Sequence, residues 1–379
     1  MTVRETLLGR CVVLGVTGSI AAVETVRLAH ALRRRGATVQ AVMTTAACGI
    51  ITPDALSYAT GRPVITRCTG LVEHVAYCGE EGCGSVLLIA PCTANTIGKI
   101  ASGIDDTPVT TFATTALGRG MPVVVAPAMH ESMYRHPQVL ANLSRLRSWG
   151  IEIVPPRLEE GRAKVADNET IVLFTERAVR GKPLAGKKVL VTSGPCAEPV
   201  DDVRILTTRS TGAMGREMAL EAFRLGAEVT VVHSSTFPCV TNVSATSAGE
   251  MRDAVLRILQ EGPVDYYVSA AAISDFAPRR HQGKIRSGDP VDLHLDPLPK
   301  LLTEVCTSHP ITAIAFKLGW DDRPRATALL DQGVELVVLN TPLEMGSAEG
   351  SFTLLTHDSE EQIQGSKEEV AAAVWRSVR

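Results

Sequence analysis

The chain opens with an apolar run that is followed by a glycine-containing turn and an amphipathic stretch. The run Cys11–Leu14 leads into Gly15-Val-Thr-Gly-Ser19, and apolar residues then recur at helical spacing over Ala21–Arg35. Gly36 ends that helix, and Thr38–Thr44 is the next β-branched run. This order predicts a strand, a glycine turn, a helix and a strand, which is half of a βαβ nucleotide-binding unit.

The same order returns in the second half of the chain. Lys188–Thr192 predicts a strand, a helix is expected over about Gly212–Leu225, and Glu228–His233 predicts the next strand. This copy inserts Pro195 to Arg209 as a loop between its strand and its helix. Further apolar runs alternate with helical patterns, so we expect largely parallel sheets. These runs are Val86–Ile89, Val123–Ala126, Ile151–Val154, Tyr266–Ser269, Ile311–Phe316 and Val334–Leu339.

The segment Arg180-Gly-Lys-Pro-Leu-Ala-Gly186 is rich in turn residues and precedes the first strand of the second copy. A chain of 379 residues also exceeds what one ordinary hydrophobic core holds. We therefore predict two α/β, Rossmann-like domains with mostly parallel sheets, over residues 1–181 and 182–379.

Composition narrows the function classes. The 38 Lys and Arg residues are balanced by 41 Asp and Glu residues, and no basic block is present, which argues against a nucleic-acid partner. A membrane span needs about 18 consecutive apolar residues, and the sequence has no such run. The nine cysteines are an odd number without a CxxC pair, which suits reduced thiols and predicts a cytoplasmic protein.

Three segments with candidate chemistry follow predicted strands of the first half. Gly15-Val-Thr-Gly-Ser19 offers backbone N–H groups and hydroxyls at a helix N-terminus, which suits an anion, although a purely structural turn is an equal alternative. Met43-Thr-Thr-Ala46 and Ala90-Pro-Cys-Thr-Ala-Asn-Thr96 also carry Thr and Asn. Because the carboxyl ends of parallel strands converge on one crevice, we expect these segments to form one site for a phosphate and a polar ring system.

These segments, together with His74, Ile104-Asp-Asp106 and Pro127-Ala-Met-x-x-x-Met133, resemble the flavin-dependent cysteine decarboxylase family. The resemblance implies that FMN oxidises the substrate thiol to a thioaldehyde, which stabilises the charge left when CO₂ departs. It implies His74 as the acid/base, and a homo-oligomer built from trimers. The implied FMN-binding residues are Gly15, Thr17, Gly18, Ser19, Thr44, Thr93, Ala94 and Asn95.

Two positions depart from the pattern of that family. His130 stands where an Asn usually binds the substrate carboxylate, and a histidine can still donate one hydrogen bond there. The segment Glu160-Gly-Arg-Ala-Lys-Val165 lacks the Cys that protonates the enethiol, and Lys164 is the nearest replacement by alignment. Both residues are counted as catalytic candidates. Cysteines nearby in sequence are alternatives to Lys164 as proton donor, namely Cys68, Cys78, Cys83 and Cys92.

The second half carries a different set of motifs. Ser210-Thr-Gly-Ala-Met-Gly215 places glycines before a helix, as a triphosphate requires, although it is not a Walker A sequence. Together with Glu198-Pro-x-Asp-x-Val-Arg204, Ala270-Ala-Ala-Ile-Ser-Asp-Phe276 and Lys284-Ile-Arg286, it resembles the phosphopantothenate–cysteine ligase domain. Two departures are Thr208, where an Asn is usual, and Ser287, where a Lys is usual.

The ligase resemblance implies an acyl-nucleotidylate made with CTP and Mg²⁺, with ATP as the open alternative. Lys284, with Arg286, would neutralise the departing pyrophosphate, and Arg204 would bind the phosphate of phosphopantothenate or the acyl intermediate. Asp275 would contact the nucleotide or hold Mg²⁺. The implied substrate- and nucleotide-binding residues are Arg204, Thr208, Ser210, Gly212, Asp275, Lys284, Phe316, Lys317 and Asn340.

Taken over both halves, the chain is similar to the bifunctional phosphopantothenoylcysteine synthetase/decarboxylase family of coenzyme A biosynthesis. The hypothesis is ligation of 4′-phosphopantothenate with cysteine, followed by decarboxylation to 4′-phosphopantetheine. One alternative is a flavin-binding regulatory protein, which the departures at His130 and Lys164 would suit and which His74 argues against. An NAD-dependent oxidoreductase is disfavoured because the three-glycine fingerprint is missing. A zinc site at His74, Cys78 and Cys83 is disfavoured because its spacing is unusual and a fourth ligand is missing.

Overall fold

The computed structural model describes residues 4–159, 162–288, 290–320, 322–344 and 346–378. The chain divides into two compact units, one running up to Gly181 and the other from Lys182 onwards. Each unit is built around its own sheet.

The first unit is a five-stranded parallel sheet in the order β2-β1-β3-β4-β5. Its strands are β1 Cys11–Val16, β2 Thr38–Met43, β3 Val86–Cys92, β4 Val123–Pro127 and β5 Glu152–Ile153, followed by an antiparallel hairpin of β6 Arg157–Glu159 and β7 Arg162–Lys164. Its helices are α1 Thr25–Arg34, α2 Thr45–Cys48, α3 Pro53–Thr60, α4 Glu73–Cys78, α5 Ala94–Ser102, α6 Pro108–Arg119, α7 Glu131–Tyr134, α8 Pro137–Ser148 and α9 Asn168–Val179.

Alternation along the strands divides the apolar side chains of this unit between two layers. Val12 and Leu14 of β1 pack in one core with Leu28 of α1, whereas Val13 packs in the other core with Phe112 of α6. Helices therefore cover both faces of the sheet, as continuous apolar strands require. The fold class predicted for this half is confirmed.

The helix predicted over Ala21–Arg35 differs from the observed one at its beginning. Ile20–Glu24 forms a 3-10 turn, and the α-helix begins at Thr25. Ser19 caps the 3-10 turn, because its hydroxyl accepts a hydrogen bond from the N–H of Ala21 at 3.4 Å. The 3-10 turn thus lies between the glycine turn after β1 and the first residue of the α-helix.

The second unit is an eight-stranded sheet in the order β12-β11-β8-β13-β16-β17-β18-β19. Its strands, with two small hairpins, are β8 Lys188–Pro195, β9 Ala197–Pro199, β10 Ile205–Thr207, β11 Glu228–His233, β12 Thr241–Ser244, β13 Tyr266–Ala272, β14 Phe276–Pro278, β15 Leu295–Pro297, β16 Thr312–Leu318, β17 Val334–Asn340, β18 Glu349–Leu355 and β19 Glu360–Ser366. Its helices are α10 Ala213–Arg224, α11 Ala248–Glu261, α12 Leu301–Ser308, α13 Arg323–Asp331 and α14 Lys367–Ser377, with a 3-10 turn at Pro342–Glu344.

Six neighbouring strands of this sheet are parallel, and the hairpin β18–β19 adds two antiparallel strands at one edge. The prediction of a mostly parallel sheet is therefore confirmed, although the apolar pattern did not reveal this hairpin. The inserted segment Pro195 to Arg209 is also more ordered than a loop, because β9 and β10 pair within it.

Candidate functional site

The first unit has a cavity of about 510 Å³ at the carboxyl ends of its strands. Six of the eight residues predicted to bind FMN line it, namely Gly18, Ser19, Thr44, Thr93, Ala94 and Asn95. Its other walls include Thr107 and Pro108, where α6 begins, Met129 just before α7, and Met133 within α7. The segments that follow β1, β2 and β3 thus meet in one crevice.

Hydroxyl side chains cap the helices that begin at this cavity. Thr44 accepts from the N–H of Ala47 at 3.2 Å, and Thr93 accepts from the N–H of Thr96 at 3.3 Å. Thr107 caps α6 in the same way. Each cap leaves further backbone N–H groups and the positive end of a helix facing the cavity, so the cavity suits an anionic group.

Thr17 and Gly15 do not line the cavity, but they hold the segments that do. The buried hydroxyl of Thr17 donates to the carbonyl of Pro91 at 2.7 Å and accepts from the N–H of Thr93 at 3.0 Å. A Cβ on Gly15 would lie 3.1 Å from Cγ1 of Val109, so this glycine allows α6 to approach the sheet. Thr17 therefore joins the turn after β1 to the segment after β3.

His74 lies on α4, outside the cavity lining. Its ring meets Phe112 edge-on, with the ring centroids 6.5 Å apart. Phe112 is one turn along α6 from Pro108, which lines the cavity, so His74 packs against the second turn of α6. Its Nδ1 is buried and has no hydrogen-bond partner within the described part of the chain.

His130 caps α7 through its ring. Nδ1 accepts from the N–H of Ser132 at 3.3 Å and lies 2.9 Å from the hydroxyl of Ser132. An acceptor Nδ1 leaves the proton on Nε2, so the exposed edge of the ring is a hydrogen-bond donor. His130 follows Met129, which lines the cavity, and it thus offers a donor at the rim.

Lys164 belongs to β7, whose hairpin with β6 lies against α7. The hairpin brings the strand of Lys164 to the helix that His130 caps. Glu160 and Gly161, at the tip of this segment, lie outside the described residues.

The cysteines offered as alternatives to Lys164 are less suited to giving up a proton where they are buried. Burial raises the pKa of the Cys78 thiol to about 12 and also raises the pKa of Cys92. The pKa of Cys68 is raised as well, chiefly by burial.

Among the residues that the structure describes, no group of three His, Cys, Asp or Glu side chains could hold a metal ion, and this includes the set of His74, Cys78 and Cys83.

An ion pair in the cavity wall was missed by the sequence analysis. Lys99 Nζ lies 2.7 Å from Oδ2 of Asp106, and both residues line the cavity. The Ile104-Asp-Asp106 motif already indicated that Asp106 belongs to the site, but no sequence pattern indicated its partner Lys99 on α5.

The second unit has a narrower cleft of about 150 Å³ at the carboxyl ends of β13, β16 and β17. The predicted residues Ser210, Gly212, Phe316 and Asn340 all line it. Gly212 precedes α10 with a left-handed backbone (φ +71°), and its open side faces Gly194 at the end of β8. Backbone N–H groups at the beginning of α10 therefore face the cleft, as a phosphate group requires.

Strand alternation separates Lys317 from this cleft. Phe316 and Leu318 line it, so Lys317 between them points to the other face of β16. There its Nζ lies 3.7 Å from Oδ2 of Asp322. The structure thus does not bring Lys317 together with the other predicted residues of the cleft.

Arg204 and Lys284 lie on two segments that touch. Arg204 forms an ion pair with Asp201 and donates to the carbonyl of Ile285 at 3.2 Å, so the segment Lys284–Arg286 lies beside it. Thr208 follows β10, and its hydroxyl oxygen is buried without a hydrogen-bond partner among the described residues.

Asp275 forms an exposed ion pair with Lys300 and does not line the cleft. Two further residues that line the cleft, Glu344 and Lys367, were missed by the sequence analysis. Burial lowers the pKa of Lys367, and the nearby carboxylate of Glu217 partly offsets that change. The Ser366–Glu369 capping box would have located the beginning of α14, but not the approach of Lys367 to the cleft.

Comparison with known proteins gives the same division of the chain. The flavoprotein family model matches residues 2–180, and the model of the DNA/pantothenate metabolism flavoprotein C-terminal domain matches residues 184–379. The coenzyme A biosynthesis bifunctional protein CoaBC of Thermococcus kodakarensis is 43% identical over 385 residues, covering 98% of this chain and 95% of the relative. The CoaBC protein of Vibrio vulnificus (strain YJ016) is 36% identical over 292 residues, covering 72% of this chain and 70% of the relative.

Among solved structures, the FMN-dependent cysteine decarboxylase SpaF is 29% identical, with a TM-score of 0.40, over 45% of this chain and 99% of that one. None of the helices within the described part of the chain combines the length and the apolar character needed to cross a bilayer.

Proposed function

The chain belongs to the family of coenzyme A biosynthesis bifunctional proteins, and from that membership we propose how its two halves divide the reactions. The protein is a bifunctional enzyme with ligase and decarboxylase activities, and it uses a flavin. Residues 1–181 form the phosphopantothenoylcysteine decarboxylase, and residues 182–379 form the phosphopantothenate–cysteine ligase.

The flavin of the first half is FMN, held in the cavity beside Ser19, Thr44 and Thr93. A volume of about 510 Å³ suits a ligand of this size, and the capped helix starts suit its phosphate. When bound, the flavin supplies a two-electron sink for the substrate thiol and returns the electrons after CO₂ has left. Thr17 supports this site through its buried hydroxyl, which joins the turn after β1 to the segment after β3, and Gly15 supports it by letting α6 approach the sheet.

Three side chains of this half act on the substrate. His74 exchanges the proton of the reacting thiol, and the Nε2–H of His130 donates to the substrate carboxylate. Lys164, on the hairpin beside α7, protonates the enethiol. His74 and Lys164 lie outside the cavity lining, which is the reason to assign the complete site to an oligomer.

The proposed assembly is a homo-oligomer built from trimers, and apolar side chains on the surface of this unit support contact between copies. Leu71 is 79% exposed and Ile20 is 78% exposed, and Met133 at the cavity is 50% exposed. A neighbouring copy that covers these side chains also closes the cavity against water. The enzyme acts in the cytoplasm, where its cysteines stay reduced.

In the second half, CTP binds with its phosphates at the beginning of α10, beside Ser210 and Gly212. Phe316 and Asn340 contact the nucleotide from the ends of β16 and β17. Arg204 and Lys284 hold the anionic acyl group and the departing pyrophosphate, and Thr208 offers its hydroxyl beside them. The product of this half, 4′-phosphopantothenoylcysteine, is the substrate of the other half. Lys317 points to the other face of β16, beside Asp322, and is therefore left out of this nucleotide site.

The ligase uses Mg²⁺, with Asp275 as its protein ligand. A single carboxylate is in keeping with this ion, because Mg²⁺ usually keeps several waters and binds substrate phosphates. Asp275 must then exchange Lys300 for the ion. The cation in turn supplies positive charge beside the phosphates.

The observation that carries the proposal is that six predicted residues meet in one cavity and four in the other. The test is mass spectrometry of the purified chain incubated with 4′-phosphopantothenate, cysteine, Mg²⁺ and either CTP or ATP. We expect 4′-phosphopantetheine with CTP, accumulation of 4′-phosphopantothenoylcysteine for His74→Asn, and no product for Lys284→Gln. Unchanged products from His74→Asn and Lys284→Gln would remove both residues from the mechanism.

A further inference from the structure

The carboxylate of Asp201 is buried between two segments that are far apart in the sequence. Its side chain is fully shielded from solvent. Oδ1 accepts from the backbone N–H groups of Val203 and Arg204, both at 2.7 Å. Oδ2 accepts from the N–H of Ile285 at 3.0 Å and from the guanidinium of Arg204.

The same contacts fix the backbone of Ile285 on both sides. Asp201 accepts from its N–H, and Arg204 donates to its carbonyl at 3.2 Å. Ile285 is half-buried, whereas its neighbours Lys284 and Arg286 are exposed. Asp201 thus holds the middle of a short segment whose two flanking cations remain free to meet a ligand in solution.

We propose that Asp201 is a positioning residue of the ligase, which holds Arg204 and the Lys284–Arg286 segment together so that their cations face one anionic ligand. This inference rests on the ligase site proposed above. Asp201 itself does not touch the ligand, because its two oxygens are already occupied by donors of the protein. It acts by fixing the geometry of the cations before the ligand arrives.

The groups around Asp201 favour its ionised form. Burial by itself would raise the pKa of this carboxyl, but the N–H groups of Ile285, Val203 and Arg204, with the Arg204 guanidinium, hold the pKa well below its usual range. The carboxylate therefore keeps its negative charge, and with it these hydrogen bonds, in weakly acidic solution.

The neighbouring residue provides a matched control. Asp202 forms an exposed ion pair with Arg280 at 2.9 Å, and it makes no contact with Ile285 among the hydrogen bonds of the described residues. Asp201→Asn and Asp202→Asn remove the same charge at nearly the same place. Charge alone predicts that both variants bind an anionic substrate slightly more tightly. Loss of position predicts the opposite for Asp201→Asn only, since an amide keeps one acceptor oxygen and sets its NH₂ group against donors, either those at Ile285 and the Arg204 guanidinium or the N–H groups of Val203 and Arg204.

The experiment measures ligase kinetics of the full-length chain with 4′-phosphopantothenate as the varied substrate, at low and at moderate salt. We expect kcat/KM to fall about tenfold or more for Asp201→Asn, because a buried charged acceptor of several donors is lost. Asp202→Asn should stay within about twofold of the wild type, as is usual for exposed ion pairs. The difference between the two variants should persist at moderate salt, which would screen an effect of charge alone.

Hydrogen exchange followed by mass spectrometry gives the structural readout. Peptides containing Ile285 should lose protection in Asp201→Asn, while peptides from β8 and β13 keep theirs. Decarboxylation of added 4′-phosphopantothenoylcysteine by the same preparation should be unchanged. If Asp201→Asn fails to fold, Ile285→Pro deletes the donor, keeps the carboxylate and should reproduce the loss of kcat/KM.

Equal kcat/KM for the Asp201→Asn and Asp202→Asn variants, or an unchanged value for a folded Ile285→Pro variant, would overturn the inference. If the proposed assignment of the ligase site is itself wrong, the result is different. Arg204→Gln and Lys284→Gln would then also retain the ligase activity of the wild type.

Discussion

Replacing Gly18 by alanine tests whether the cavity of the first half depends on a close approach of two turns. A Cβ at this position would lie 2.5 Å from Cβ of Ala46 and 3.3 Å from its carbonyl carbon. Carbon atoms in van der Waals contact are about 3.5–4.0 Å apart, so the turn after β1 and the beginning of α2 would have to separate by about 1 Å. Neither neighbour is a flexible side chain that can move aside.

Overpacking of this kind usually costs about 1–3 kcal/mol. Both turns line the cavity, so we expect Gly18→Ala to weaken flavin binding by the same amount, about 1–3 kcal/mol, which corresponds to an affinity about 5- to 140-fold lower. Flavin content of the purified protein and a titration of the apoprotein, followed by absorbance and fluorescence, measure this loss. The free energy of unfolding of the flavin-saturated protein should fall by a similar amount, because the bound state carries the strain.

Gly118→Ala is the matched control within the same unit. Gly118 lies in α6, and a Cβ there would meet no atom within 4 Å. Alanine should therefore stabilise the helix by about 0.5–1 kcal/mol and leave flavin binding unchanged. Full flavin content in Gly18→Ala, or an equal loss in Gly118→Ala, would refute the argument from close approach.

Three further predictions concern single side chains. His130→Asn should retain the cap on Ser132 and most decarboxylation, whereas His130→Ala should lose about 1 kcal/mol of stability and slow decarboxylation, as measured by unfolding and by CO₂ release. Burial lowers the pKa of His233 in the folded protein, so on acidification the unfolded chain takes up a proton first. The free energy of unfolding should therefore fall as pH drops below 6.5. Replacement of His233 by Gln should flatten this dependence, as measured by denaturant titrations at several pH values. Lys367→Gln should weaken CTP binding several-fold in calorimetric titrations because the amine lines the cleft, whereas Lys187→Gln, which breaks only an exposed pair, should leave the affinity unchanged.

The sequence predicted correctly which residues meet at the carboxyl ends of parallel strands. Ser19, Thr44 and Thr93 meet because the carboxyl ends of neighbouring strands share one edge of the sheet. The sequence did not predict which side each residue would face. Lys317 lies near the end of β16 as Phe316 does, yet alternation directs it to the opposite face.

Residues missed by the sequence analysis reach their sites through contacts between distant elements. Lys367 enters the cleft only because the hairpin β18–β19 returns the chain to it. The hairpin itself was not predicted, since β19 is Glu-Glu-Gln-Ile-Gln-Gly-Ser and has no apolar run. Asp201 could be named from its motif, but the long-range hydrogen bond to Ile285 that explains it needs the structure.

The polar character of β19 also affects whether strands of other chains can pair with this edge of the sheet. A strand at the edge of a sheet presents unpaired N–H and C=O groups, to which a strand of another chain could add. Glu360 and Glu361 lie at the beginning of this strand, where Glu360 forms an ion pair with Arg323 of α13. Charged side chains at a sheet edge disfavour pairing with a strand of another chain, so the strand that the apolar pattern failed to predict protects the sheet against edge-to-edge aggregation.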